Sequence, residues 1–212
     1  MQIVEQSYQI FIPEGFTLKS YLVDQAKQIE IAARTCYKSE NLITEDSYEK
    51  MVRMLRKNDH SAMLEFGGLT VKFITSRGVA HEFVRHRIPS FAQESTRYCN
   101  YSKDKFGNEL TFVKPSSWES YTPMQQQWWT DAVKDDETRY LKGIEMGLTA
   151  QQARGVLPND LKTEINVRTN FREWLHIFKL RCSPAAHPDI RALLEPLYDE
   201  LAEILPCVFA TK

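Results

Sequence analysis

The chain has 212 residues, of which 42% are hydrophobic and 26% charged, and its formal net charge is −1. A chain of this length and composition can bury a core of its own without disulfides or metal ions, which excludes a disordered or fibrous protein. The near-neutral charge argues against a surface that binds nucleic acid as a whole, so any anion site has to come from a local group of arginines and lysines.

Apolar spacing near the start of the chain predicts one strand and two helices. Residues 2–12 follow the period of a strand, whereas 18–36 and 45–57 follow that of a helix, with Thr44 and Ser47 as alternative caps of the second helix. The positions expected to face the core are Leu22, Ala26, Ile29 and Ala33 in the first helix and Tyr48, Met51, Val52 and Leu55 in the second.

A strand and a short helix are predicted next. Alternating residues indicate a strand over 69–75, and Ser76 can cap a helix over about 77–86. Residues 88–102 are polar and predict a loop or extended chain, because Pro89 disfavours a helix at the residue before it. The expected core positions are Leu69, Val71 and Phe73 in the strand and Ala80, Phe83 and Val84 in the helix.

The second half of the chain predicts two strands and four helices. They are a strand over 109–114, a helix over 121–146, a shorter helix capped by Thr149, a strand over 162–168, and helices over 170–182 and 188–205. In the helix over 170–182, one stripe is the expected core and the adjacent stripe carries Arg181. The core stripe is Phe171, Leu175, Phe178 and Cys182, and the adjacent one is Asn170, Trp174, Ile177 and Arg181.

These elements do not alternate regularly between strand and helix, so we expect a helix-rich α+β fold. Its mixed sheet would be surrounded by helices, in a single domain over 1–212. No glycine fingerprint for dinucleotide binding is present.

The four cysteines are Cys36, Cys99, Cys182 and Cys207, and they form no CxxC pair and no zinc-type spacing with histidine. Free thiols in a reducing compartment are the simpler interpretation. No signal peptide and no stretch of about 18 apolar residues is present, so we expect a cytoplasmic protein that does not contact a membrane.

The residues richest in chemistry lie between Arg85 and Tyr98, where three arginines, a histidine and two serines occur within fourteen positions. If the chain after Pro89 is extended, Ser95 and Arg97 point the same way. A hydroxyl beside a guanidinium suits a phosphate, because arginine offers a planar fork of donors. The alternative to a phosphate site is a solvent-exposed loop. Its arginines would then only interact favourably with the dipole at the C-terminus of the preceding helix.

The spacing of these residues resembles the signature of the flavin-dependent thymidylate synthase family. Arg85-His86-Arg87 is followed after seven residues by Ser95 and then by Arg97-Tyr98. Three further elements match: His60 with Glu65; Arg154 with Leu157-Pro158; and Asn170, His176 and Arg181. The resemblance covers residues 60–181. The chain departs from common family residues with Ala62, Glu82, Gln93 and Thr96.

The resemblance implies reductive methylation of dUMP to dTMP, with 5,10-methylenetetrahydrofolate as carbon donor and NADPH-reduced FAD as hydride carrier. It implies that dUMP is bound by Glu82, Arg85, Glu94, Ser95, Thr96, Arg97, Arg154 and Arg181, with Arg181 as the catalytic residue that stabilises charge on the uracil ring. It implies that FAD is bound by His60, Arg85, His86, Arg87, Gln93, Asn170, Arg172 and His176. It further implies a homotetramer with FAD at subunit interfaces, no metal and no nucleic-acid partner.

Other interpretations of single residues stay open on the sequence alone. Ser95 could be an ordinary loop hydroxyl or a nucleophile, His60 a cap of local backbone groups, and Arg181 a cation that favours a helix C-terminus. Two other functions compete. One is a nucleic-acid-binding module that stacks bases on Phe91, Tyr98 and Tyr101. The other is the folate enzyme with a cysteine nucleophile, for which Cys182 lies beside an arginine.

Overall fold

The computed structural model describes residues 1–103 and 107–210, which form a helix-rich α+β fold as predicted. The strands are β1 (Gln2–Val4), β2 (Ser7–Ile10), β3 (Gly68–Ser76), β4 (Ser90–Gln93), β5 (Thr111–Val113) and β6 (Lys162–Asn170). The α-helices are α1 (Leu18–Tyr37), α2 (Ser47–Lys57), α3 (Arg77–Phe83), α4 (Pro123–Glu145), α5 (Ala150–Ala153), α6 (Phe171–Arg181), α7 (Pro188–Ile204) and α8 (Pro206–Phe209).

The described residues form two sheets. β1 and β5 pair in parallel, with Ile3 opposite Phe112, and the other four strands follow the order β2-β3-β6-β4. β3 and β6 run antiparallel: the amide of Phe171 donates to the carbonyl of Gly67 (2.8 Å), and the amide of Arg77 donates to that of Leu161 (3.0 Å). From Gly67 to Arg77 the residue number rises by ten, while that of the hydrogen-bonded partner falls by ten, from Phe171 to Leu161.

The chain separates into two compact units. Unit 1 comprises residues 1–7, 73–85 and 91–166, and unit 2 comprises 8–72, 86–90 and 167–210. β3 and β6 contribute residues to both units. The assignment of the whole chain to one domain stays a prediction.

Each unit has its own core. In unit 1, helix α4 packs its buried face on β5 and on the segment that leads into β6. The core residues are Tyr101, Leu110, Phe112, Trp129, Val133, Tyr140, Ala153 and Leu161. In unit 2, α1 packs on α2, and α6 packs on α7. Trp174 and Phe178 of α6 stack with ring centroids 5.6 Å apart.

The amphipathic patterns of α1 and α2 are confirmed, since all eight core positions predicted in these helices are buried. The predicted caps of α2 are wrong. Asp46 precedes the helix, and the Ser47 hydroxyl donates instead to the buried carboxylate of Glu30, 2.8 Å away on α1. The same hydroxyl accepts from the amide of Thr44 (2.9 Å), so Ser47 connects the turn before α2 to α1 and does not cap the helix.

Three other sequence predictions need correction. The strand predicted over 2–12 is divided into β1 and β2. Helix α3 begins at the Ser76 cap as predicted but ends at Phe83, so Val84 lies beyond the helix and is exposed. The core face of α6 is Phe171, Trp174, Ile177 and Phe178, so it lies between the two predicted stripes.

The end of β6 is held by a helix cap and a close backbone approach. The Asn170 side chain accepts from the amide of Glu173 (2.9 Å) and caps α6. A Cβ at Gly68 would lie 2.5 Å from the carbonyl oxygen of Thr169, so only glycine fits opposite β6 at this position.

Among the residues that the structure describes, no helix is both long and apolar enough to cross a membrane.

We predict that Gly68→Ala destabilises the fold by about 1–3 kcal/mol, because the added methyl group must displace the backbone of β6. Thermal unfolding followed by circular dichroism at a fixed protein concentration measures the change. Gly155→Ala is the matched control, because a Cβ at Gly155 meets nothing within 4 Å. Equal melting temperatures for the two variants would contradict the steric argument.

Candidate active site

Several of the residues predicted for substrate and cofactor binding fall into two groups, one in each unit. The arginine cluster of unit 1 consists of Arg77, Thr96, Arg97 and Arg154. The histidine cluster of unit 2 consists of His86, Glu173, His176 and Arg181. The motif Arg85-His86-Arg87 contributes to both units, because Arg85 ends a segment of unit 1 and His86 begins one of unit 2.

The arginine cluster lies beside a cavity of about 340 Å³. The lining residues come from α3, from the segment after β4 and from the 3-10 helix Arg154–Val156 with the loop that follows it. They are Arg77, His81, Thr96, Arg154, Gly155, Leu157, Pro158 and Asn159. The structure thus brings Thr96 and Arg154 together, as the resemblance implies, since Arg154 Nη1 donates to the buried Thr96 hydroxyl at 3.1 Å.

Ser95 and Arg97 do not lie on an extended strand, so that prediction is wrong. β4 ends at Gln93, and the carbonyl of Ser95 accepts from the amides of Tyr98 (3.1 Å) and Cys99 (2.9 Å) in a turn. The Ser95 hydroxyl accepts from the amide of Arg97 (3.3 Å). The turn still keeps Ser95 and Arg97 adjacent, through a local hydrogen bond that strand alternation did not anticipate.

Arg77 belongs to this cluster, although the sequence analysis did not single it out. Its Nη1 atom is buried, and it has no hydrogen-bond partner in the structure. A buried guanidinium nitrogen that makes no hydrogen bond carries a desolvation cost, which an anionic ligand in the adjoining cavity would offset. The available signal was its position directly after the Ser76 cap, at the start of the helix that precedes Arg85.

Glu94 is held by two partners in unit 1. Its carboxylate accepts from the hydroxyl of the buried Tyr101 (2.9 Å) and from Lys162 Nζ (3.2 Å). Burial and the neighbouring Glu94 charge raise the pKa of the Tyr101 phenol. Burial opposes the charge on Lys162, but the hydrogen bond to Glu164 and the charge of Glu94 raise the pKa of its ammonium group. Tyr101 is therefore not available to stack a base.

The histidine cluster of unit 2 is joined by short contacts around a buried imidazole. His86 is 7% exposed. Its Nδ1 lies 3.3 Å from Glu173 Oε1, and its Nε2 accepts from Arg181 Nε at 3.1 Å. The ring of His176 meets that of His86 edge-on at 5.8 Å between centroids. The structure thus brings His86 and His176, which the resemblance assigns to FAD, together with Arg181, which it assigns to dUMP, and Glu173 is a further member that it did not supply.

A cavity of about 430 Å³ adjoins this cluster, and it is lined by Glu65, Ile88, Asn170, Arg172, Glu173 and His176. Arg172 Nη1 and Glu65 Oε1 form an exposed ion pair at 2.6 Å. The cavity thus unites Asn170, Arg172 and His176, three of the residues predicted to bind the cofactor, and offers amide, guanidinium and imidazole donors.

His60 belongs to neither cluster. It borders the third cavity, which lies in unit 2, has a volume of about 330 Å³, and has Cys36, Tyr37 and Ala62 among its walls. His60 precedes the 3-10 helix Ser61–Phe66, and its side chain makes no capping hydrogen bond. The alternative interpretation of His60 as a cap is therefore wrong.

The remaining predicted residues line none of these three cavities. Arg85 is largely exposed, and its Nε lies 4.0 Å from Glu82. Arg87 is exposed, whereas Gln93 is half-buried and donates from Nε2 to the Thr163 hydroxyl (3.2 Å). Arg97 donates from Nε to Gln151 Oε1 (2.7 Å).

One group in the described part of the chain has the composition of a metal site. The ligand atoms of His86, Glu173 and His176 all lie within 4.8 Å of one another. The Nε2 atom of His86 accepts a hydrogen bond from Arg181, so we describe the group as a hydrogen-bonded cluster. No metal was expected from the resemblance.

Cys182 lacks the setting of a nucleophile. It is half-buried after α6, and burial raises the pKa of its thiol to about 11. The nucleophile is the thiolate, which a raised pKa makes scarce near neutral pH.

We predict that alkylation of Cys182 by iodoacetamide accelerates about tenfold per pH unit between pH 8 and 10, because the thiolate fraction rises in that proportion below the pKa. Peptide mapping by mass spectrometry measures the rate, and Cys182→Ser confirms the peptide assignment. A short unstructured peptide with one internal cysteine is the reference compound, whose rate levels off as pH passes its thiol pKa of about 8.5. A Cys182 rate that is already constant at pH 8 would contradict the burial argument.

Comparison with known proteins shows the family of the chain. The family described as "Thymidylate synthase complementing protein" matches residues 17–207. A Geobacter sulfurreducens protein named flavin-dependent thymidylate synthase is 31% identical over 91% of this chain and 84% of its own length. Proteins of the same name from Saccharolobus solfataricus and Pyrococcus furiosus are 30% and 32% identical, over 91% and 76% of this chain and 74% and 65% of their own lengths. The chain therefore belongs to the flavin-dependent thymidylate synthase family.

Proposed function

We propose that this chain converts dUMP to dTMP by reductive methylation, with 5,10-methylenetetrahydrofolate as the carbon donor and NADPH-reduced FAD as the hydride carrier. The relatives' names support thymidylate synthesis and dependence on a flavin. The observation that carries the proposal is the arginine cluster, where the half-buried Arg77, the buried Thr96 and the exposed Arg154 line a cavity suited to the phosphate of a nucleotide.

The charges of the arginine cluster favour a phosphate dianion. Arg154 donates to the hydroxyl of Thr96, and Arg97 donates to the amide oxygen of Gln151, so both contacts use neutral acceptors. Each charge-assisted hydrogen bond to a phosphate contributes about 1.5–3 kcal/mol. We assign the phosphate of dUMP to Ser95, Thr96, Arg97 and Arg154, and add Arg77 to this set.

Arg181 would act on the uracil ring. Its guanidinium keeps its proton, so it stabilises negative charge on uracil electrostatically and does not act as a base. Glu82, Arg85 and Glu94 are the other proposed dUMP contacts. Glu94 is suited to fix a ligand because Tyr101 and Lys162 restrict its rotamers.

The donors around the 430 Å³ cavity fit a flavin dinucleotide. The guanidinium of Arg172 matches a diphosphate, and Asn170 and His176 offer the polar contacts that orient a ring system. We assign FAD to these residues together with His60, Arg85, His86, Arg87 and Gln93. The bound flavin would supply hydride-transfer chemistry, while the protein residues bind and orient.

Assembly into a homotetramer, with FAD held where subunits meet, is part of the proposal. In each chain, Asn170, Arg172 and His176 line a cavity of only about 430 Å³, and His60 borders one of about 330 Å³. Cavities of this size hold a drug-sized group, and FAD is longer because it joins a ring system, a diphosphate and an adenosine. A second copy of the chain would complete the enclosure.

The proposed reaction is tested by supplying purified protein with dUMP, 5,10-methylenetetrahydrofolate, NADPH and FAD, and measuring dTMP by chromatography. We expect a visible flavin spectrum of the purified protein, and dTMP only when dUMP, the folate and NADPH are all present and FAD is bound, so that protein stripped of its flavin forms dTMP only after FAD is added back. Single omissions are the controls. Formation of dTMP by flavin-free protein, or its absence from folded protein that binds FAD, would overturn the proposed reaction.

We predict that Arg77→Gln weakens dUMP binding about 10–100-fold, because one charge-assisted bond to the phosphate is lost. Binding of deoxyuridine, which has no phosphate, should not change. Calorimetric titration of both ligands measures the difference.

Arg191→Gln is the matched control, because Arg191 also carries a buried nitrogen but belongs to α7 in unit 2. Equal losses of dUMP and deoxyuridine binding in Arg77→Gln would make Arg77 a structural residue.

A further inference from the structure

We infer that Glu173 is a positioning residue for Arg181, and that it acts through His86. The inference rests on the proposed function, in which Arg181 stabilises charge on the uracil ring. No family motif quoted above includes Glu173. The contacts that support its role all lie within unit 2.

The first step is the spacing of Glu173 and Arg181 on one helix. They are eight residues apart on α6, which corresponds to about 12 Å along a helix axis at about 1.5 Å per residue. The two side chains therefore need a group between them if one is to influence the other. His86 is that group, with Glu173 Oε1 3.3 Å from its Nδ1 and Arg181 Nε 3.1 Å from its Nε2.

The second step is the tautomer of His86. Arginine donates hydrogen bonds and cannot accept them, so the contact with Arg181 Nε requires His86 Nε2 to carry no proton. The proton of the neutral ring then lies on Nδ1, where the Glu173 carboxylate accepts it. A hydrogen bond at one imidazole nitrogen sets the state of the other, so Glu173 selects the tautomer that can receive Arg181.

The third step is burial. The side chain of His86 is 4% exposed and that of Glu173 is 12% exposed, so water competes little for these hydrogen bonds. The position of Glu173 is itself fixed, because its amide donates to the Asn170 cap at the start of α6. A carboxylate in the first turn of a helix also interacts favourably with the helix dipole.

The consequence concerns the orientation of a planar group. The guanidinium is planar, so a fixed hydrogen bond at Nε restricts the direction of its whole fork. Without Glu173, the Nε2-protonated tautomer of His86 becomes accessible and presents a hydrogen to Arg181 instead of a lone pair. Small misplacements of a catalytic group can reduce rates by about 100-fold.

The test compares Glu173→Gln with Glu173→Ala in protein labelled with 15N-histidine. The chain has only five histidines, so the ring nitrogens of His86 can be assigned with His86→Gln. In the wild type we expect the proton on Nδ1. Glu173→Gln should keep this tautomer, because the amide oxygen still accepts, whereas Glu173→Ala should shift the proton toward Nε2.

We expect the turnover of the two variants to change in the same order as the tautomer of His86. With bound FAD verified by its spectrum, Glu173→Ala should lower kcat for dTMP formation about 10–100-fold. Glu173→Gln should restore a kcat close to that of the wild type. Glu195→Gln is the matched control, because Glu195 pairs with Arg191 on α7 and is not among the residues proposed to bind dUMP or FAD.

Each outcome decides the inference. A wild-type His86 with its proton on Nε2 overturns it, even if Glu173→Ala fails to fold. An unchanged tautomer and kcat in Glu173→Ala overturn it as well, as does a Glu173→Gln variant as slow as Glu173→Ala. If the wild type forms no dTMP, the proposed function fails, while the nitrogen spectra still report whether Glu173 sets the state of His86.

Discussion

The antiparallel pairing of β3 and β6 is the constraint on which both proposed sites depend. At one end of the pair, Arg77 donates its amide to Leu161 and begins α3, which places its side chain beside the arginine cluster. At the other end, Phe171 donates its amide to Gly67 and begins α6, which carries Glu173, His176 and Arg181. A slip of one residue would turn every side chain of a strand to the opposite face. The close approach of Gly68 to Thr169 disfavours such a slip, because most shifts would bring a side chain against the backbone.

The helices that face the core could be predicted from sequence because burial and local periodicity agree there. Leu22, Ala26, Ile29 and Ala33 repeat at helical spacing and are all buried. The pattern was less reliable where a helix is short or where apolar residues occupy two adjacent stripes. Val84 continues the stripe of α3 but lies after its end, and Trp174 was assigned to the outer stripe of α6 although it is fully buried. Short helices depend on tertiary contacts that periodicity does not contain.

The candidate site likewise contains residues that could be predicted from the sequence and residues that could not. The resemblance supplied Thr96, Arg154, His86, His176 and Arg181, which the structure brings into two clusters. It could not supply Arg77 or Glu173, because their roles depend on contacts between segments distant in the chain. The extended geometry expected at Ser95 and Arg97 was wrong for a local reason. Hydrogen bonds from the amides of Tyr98 and Cys99 to the Ser95 carbonyl close a turn, which the two-residue period of a strand does not describe.

The arginines of the two clusters donate to different kinds of acceptor, and the difference matches the roles proposed for these arginines. In unit 1, Arg154 and Arg97 donate to a hydroxyl and an amide, so their contacts leave the positive charge to attract a dianion. In unit 2, Arg181 donates to a neutral imidazole that is itself held by a carboxylate. A carboxylate in direct contact with Arg181 would neutralise the charge needed on the uracil ring. A neutral ring between them transmits orientation without a direct ion pair, so Arg181 can be both fixed in direction and electrostatically effective.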